Sequence, residues 1–180
     1  MFLVFIILIP FWRFQLPSKK YFKPLLIFSV SMGILVYLFM NLSLYHSSII
    51  SPIILGSQLA IPFGILASAF IIKENISKNK WFLILASFIG ILIIFFDPKL
   101  NENYLGLFFA SLMALFFGLA QVYSRQLKEL PTSMINASTG IFGFSVLLIL
   151  SILFEGNIYK NIEQIDLNSW ILISYQAVIV

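Results

Sequence analysis

The chain has 180 residues and a formal net charge of +4, and it is 61% hydrophobic but only 10% charged. Against roughly 25% charged residues in ordinary soluble domains, it lacks the polar side chains to cover a water-facing surface, so its natural solvent is lipid. It has no cysteine, which excludes disulfides, thiolate metal sites and cysteine nucleophiles, and with His46 as its only histidine neither a metal centre nor a cofactor is expected.

In chain order, the opening run MFLVFIILIPFW ends at Arg13. It is too short to span, and it lacks the basic start and small-residue cleavage site of a signal peptide. Near-continuous apolar runs follow at about residues 24 to 45, 49 to 72, 81 to 96, 104 to 124 and 134 to 154. Each approaches the roughly 20 residues that a helix needs to cross a hydrocarbon layer of about 30 Å. The run at 81 to 96 is the shortest and needs Asn79, Lys80 or Asp97 near the headgroups. None alternates with period two, so all read as helices, the open-chain structure that satisfies its own backbone in lipid. The last run, WILISYQAVIV, stops at Val180. The expected architecture is an all-α polytopic membrane bundle with five complete spans and two partial ones, from a chain truncated at both ends.

The connections alternate in charge. Arg13, Lys19, Lys20 and Lys23 lie in the first gap, Lys73, Lys78 and Lys80 in the third, and Arg125 and Lys128 in the fifth, while the intervening gaps hold only Lys99 and Lys160 among five acids. By the positive-inside rule the basic gaps face the cytoplasm. The basic balance is therefore a topology signal rather than a nucleic-acid patch, which would gather its charges on one face among aromatics. The one long connection, EGNIYKNIEQIDLNS at 155 to 169, has room for an outer amphipathic turn.

Small residues recur every four positions as Gly56, Ala60, Gly64, Ser68 and as Gly106, Ala110, Ala114, Gly118, with shorter pairs at Ser29 and Gly33, Ala86 and Gly90, Thr139 and Gly143. Such stripes let helix backbones approach closely where hydrophobic burial gives no drive, so they predict a tightly packed bundle. Uncharged hydrogen-bonding groups at membrane depth (Asn41, Ser43, Tyr45, Ser57, Gln58, Gln121, Asn136, Thr139) must face one another, a wet cavity or a ligand. Pro62, in the same span as Gln58, predicts a kink or break, either for packing or to expose backbone to a solute. No acid or base lies deep in a complete span, so a proton relay is not indicated, and no catalytic triad, phosphate loop or paired-carboxylate motif appears. In the turn FIIKENISKNKW, residues 70 to 81, Asn75 suits a helix terminus and Ser77 a cap, while Glu74 opposes the helix dipole. A neighbouring lysine or the free amides of the next helix are its expected compensation, with a structural or gating role for the loop.

Residues 41 to 95 resemble EamA-type transporters of the drug/metabolite transporter superfamily. Asn41, Leu42 and Tyr45 match the polar start of that family's repeat, Glu74 keeps the acid of its helix-ending motif, and Gly90 its later glycine. The stretch from Gly106 to Leu127 is similar to the opening helix of the second repeat through Gly106, Ala110, Ala114 and Arg125. The resemblance implies a ten-helix inverted-repeat transporter, with residues 1 to 97 as the remainder of the first repeat (helices 2 to 5) and 104 to 180 as part of the second (helices 6 to 8). It also implies a central cavity for which Asn41, Tyr45, Gln58, Gln121, Tyr175 and Gln176 are the candidate substrate-binding residues. The expected function is carriage of a small organic metabolite, such as an amino acid, nucleobase or nucleoside-like solute, across the bacterial inner membrane by alternating access, without enzymatic activity. Expected partners are that solute and the bilayer, with a homodimer left open and no nucleic acid. A membrane-embedded lipid-modifying enzyme or a nonfunctional fragment are the competing readings.

Overall fold

The computed structural model describes residues 17–96, 103–155 and 166–179. Every regular element among them is helical: α1 (Lys19–Val30), a π-helical turn (Ser31–Leu35), α2 (Val36–Tyr45), α3 (Ser51–Ser57), α4 (Ala60–Ile71), α5 (Lys78–Phe95), α6 (Tyr104–Gln126), α7 (Thr132–Glu155) and α8 (Leu167–Ile179). Among the described residues four stretches are long and apolar enough to cross a membrane: Lys19–Tyr45, Ile53–Ile71, Tyr104–Gln126 and Thr132–Phe154. They match four of the five expected spans. The fifth, α5, begins with Lys78, Asn79 and Lys80 and is apolar only over 81–95, about 22 Å at 1.5 Å per residue, which is short of the hydrocarbon thickness. The run before Arg13 and most of the connection at 155 to 169 lie outside the described residues.

The described residues form two compact units, one made of those up to Ile34 with those from Leu127 onward, the other of Leu35–Gln126. The second unit is organised around α6, which packs on α2, α3 and α4. The two four-residue stripes mesh with each other. A β-carbon placed on Gly56 would lie 2.9 Å from that of Ala110, Ala60 and Ala114 are buried in one cluster with Leu59, and a β-carbon on Gly118 would lie 2.7 Å from the Gly64 nitrogen and 2.8 Å from the Ala60 carbonyl oxygen. Residue numbers rise together along this seam, so α4 and α6 run parallel. Helix α2 runs the other way: the Ser43 hydroxyl donates to the Gly106 carbonyl at 2.6 Å, and Phe39 stacks on Phe116 with centroids 5.5 Å apart. Helix α5 touches α4 through the edge-on pair Phe63 and Phe88 at 5.2 Å. A β-carbon placed on Gly90, in the same helix, would have nothing within 4 Å, so the expected packing pair Ala86 and Gly90 meets no counterpart among the described residues.

In the first unit, α1 and its π-helical turn pack on α7. Gly33 and Gly143 face each other so closely that a β-carbon on Gly143 would lie 2.6 Å from the Gly33 carbonyl oxygen, and one on Gly33 2.7 Å from the Thr139 carbonyl oxygen. The shorter stripes at 29/33 and 139/143 thus form a second backbone-to-backbone crossing. Twelve residues earlier than Gly33, the Tyr21 hydroxyl donates to the Glu129 carboxylate, so α1 and α7 also run parallel, with Lys19, Lys20, Lys23 and Lys128 at one end.

Candidate functional site

The sharpest local feature at membrane depth is the break between α3 and α4. Proline has no N–H to offer the carbonyl four residues back, which for Pro62 is that of Gln58. That carbonyl instead accepts from the Ile61 N–H at 3.2 Å, and the Gln58 and Leu59 N–H groups bond to Leu55 and Gly56 carbonyls at 3.1 and 3.2 Å. These three-residue bonds tighten the chain and end α3 one turn before the proline, as the position of Pro62 leads one to expect. Gln58 sits at the break with its side chain exposed, and its amide has no hydrogen-bond partner among the described residues.

Gln121 is also exposed. Its Oε1 lies 3.5 Å from where a β-carbon on Gly64 would stand, and its amide likewise has no protein hydrogen bond among the described residues. The two amides are not neighbours. Gln58 precedes Gly64 by six residues and Gln121 follows Gly118, which Gly64 faces, by three. Their Cα atoms are thus about nine helical rises, or roughly 13 Å, apart along the seam, and the Gln121 side chain reaches back to the level of Gly64.

Asn41 is satisfied by its own helix, with Nδ2 donating to the Tyr37 carbonyl at 2.9 Å. Tyr45 is 83% exposed at the end of α2, edge-on to His46 at 5.1 Å, and His46 in turn stacks on Phe109 at 5.5 Å. Asn41, Tyr45 and Gln58 belong to the half of the second unit where α6 begins, Gln121 to the other half. Tyr175 lies exposed on α8 in the first unit, and the side chain of Gln176 lies outside the described residues.

The turn after α4 holds Glu74 differently from the expectation. Lys73, not Asn75, takes the left-handed conformation that ends the helix, with φ of 58°, and the Glu74 N–H reaches back to the Ser68 carbonyl at 3.4 Å. Ser77 caps α5 as its place in the turn predicts, its hydroxyl accepting from the Lys80 N–H at 3.4 Å. Glu74 is compensated neither by a neighbouring lysine nor by the amides of α5 but by Arg125 at the end of α6, with 3.6 Å between Oε2 and Nη1. Because α4 and α6 are parallel, their C-terminal ends coincide, which brings Lys73, Lys78, Lys80 and Arg125 to one end of the unit. At the opposite end buried Asn103 ties down the turn after α2, its Oδ1 accepting from the Ser47 hydroxyl at 2.9 Å, the Ser48 N–H at 2.8 Å and the Ser48 hydroxyl at 3.1 Å.

Asn103 and Ser29 do not stand out in the sequence as they do in the fold. Asn103 has the signal of an amide just ahead of a helix start. Ser29 is fully buried, and its hydroxyl has no partner among the described residues, whereas Ser68, Ser111, Ser138 and Thr139 each donate to a carbonyl three or four residues back in their own helix at 2.8 to 2.9 Å. Nothing but its place four residues before Gly33 distinguishes it in the sequence. Among the described residues no His, Asp and Glu side chains gather as metal ligands would. No family model, curated protein or solved structure matches the chain.

Proposed function

We propose that the chain is part of a membrane carrier that moves a small organic metabolite by alternating access, as an EamA-type member of the drug/metabolite transporter superfamily built from ten helices in two inverted repeats. On this reading residues 1 to 97 belong to the first repeat and 104 to 180 to the second, and the basic ends of the helices face the cytoplasm of a bacterial cell. The observation that carries the reading is Gln58: a primary amide at a proline-induced helix break, within a stretch long and apolar enough to span, with no hydrogen-bond partner among the described residues. An amide left unbonded in hydrocarbon costs several kcal/mol, about 2 to 7, so this one belongs against water or a polar solute. Broken helices are where membrane carriers expose backbone and side-chain polarity to their cargo.

The test is solute uptake or efflux by the full-length protein in liposomes, screened over amino acids, nucleobases and nucleosides. Gln58→Leu is expected to lower transport severalfold while the melting midpoint stays unchanged or rises, since the variant removes an unpaired polar group. No accumulation of any solute, with turnover of a lipid substrate instead, would replace the carrier by a membrane-embedded enzyme.

A further inference from the structure

Helix α1 opens with Lys19, Lys20 and Lys23 and has no acid in its first turn. Cations at a helix start oppose the dipole, and like charges at i, i+4 repel, so the arrangement is unfavourable twice over. Lys20 is relieved, because its ammonium donates to the Tyr21 hydroxyl at 3.3 Å and lies 5.0 Å from that ring, beside Glu129. Lys19 and Lys23 are exposed and have no ion-pair partner among the described residues. They share a helix face with Phe22 and Leu26, at i, i+3, i+4 and i+7. Both apolar side chains are exposed, Phe22 to 60% and Leu26 to 38%.

We propose that this column is a binding site for one anionic phospholipid. The phosphate sits between the Lys19 and Lys23 ammonium groups and cancels their repulsion, while the glycerol and the first acyl carbons lie along Phe22 and Leu26, which begin the spanning stretch. A free phosphate would meet the lysines but leave the apolar half of the column uncovered. The other basic end lacks the combination: Lys78 and Lys80 are two residues apart and point from different faces of α5, and Arg125 is already paired with Glu74. The proposal rests on the membrane reading of α1 and not on transport, so it fails or stands independently of the carrier assignment.

Native mass spectrometry of the full-length protein, titrated with phosphatidylglycerol and phosphatidylcholine, tests it. Phosphatidylglycerol is expected to bind preferentially, and Lys19→Gln/Lys23→Gln to weaken it by roughly 30-fold, at the usual contribution of a lysine near an anionic lipid surface. Lys19→Arg/Lys23→Arg should retain the preference, and so should Lys78→Gln/Lys80→Gln, which removes the same charge elsewhere. Equal weakening by the two glutamine pairs would mean that bulk surface charge attracts the lipid and would overturn a site. Phosphatidylglycerol is also expected to raise the melting midpoint, and the same gain from inorganic phosphate alone would overturn the site as well.

Discussion

The same sequence device behaves oppositely in two places. On α4 and α6, small residues every four positions bring backbones into contact, so that Gly118 has backbone atoms within 2.8 Å of where a methyl group would stand. On α5, Ala86 and Gly90 have the same spacing, yet Gly90 faces open space, and Phe82, Leu83, Ile89 and Ile93 around it are exposed. The difference teaches that a small-residue pair permits close approach without specifying it. What fixes the α4–α6 seam is that both partners carry the stripe, in matching register and over three turns, while α5 presents two small residues to no counterpart.

The largest effect expected on this contrast is that of Gly118→Ala. The added carbon meets backbone rather than a flexible side chain, so α4 and α6 must part, at a cost of about 1 to 3 kcal/mol. Thermal unfolding in detergent reads it as a lower midpoint, and an unchanged midpoint would dissolve the seam. A smaller effect is expected at its end, where Glu74→Gln removes a half-exposed ion pair worth about 0 to 1 kcal/mol. That loss should shrink as salt is raised, and a loss independent of salt would mean that Glu74 does something other than pair with Arg125. The smallest belongs to Gly90→Ala, which should move stability by no more than about 0.5 kcal/mol. A loss as large as that of Gly118→Ala would show that the open face is covered in the assembled protein.

The all-helical, membrane-like character and four helices long and apolar enough to span were legible in composition and hydropathy, because hydrocarbon selects long apolar runs. The break at Gln58 was legible because a proline's missing N–H acts on its own helix. The candidate site was legible only as a set of residue types. Asn41 turns its amide to the Tyr37 carbonyl one turn back, and the Cα atoms of Gln58 and Gln121 stand about 13 Å apart along the seam, a separation set by the register of two helices distant in the chain. Glu74 illustrates the limit most clearly. Its unfavourable place at a helix end could be read from its immediate neighbours, but its partner is Arg125, far along the chain, brought to it by the parallel packing of α4 and α6.

By itself, then, the sequence determined the solvent, the elements, the helix break and the small-residue faces, all of which follow from forces acting within one helix or between a helix and lipid. Only the tertiary structure decided which small faces meet, that Glu74 pairs with Arg125, and that the buried Ser29 hydroxyl is left without a partner among the described residues. Those outcomes depend on register between helices distant in the chain, and register is set by the sum of many contacts rather than by any local pattern.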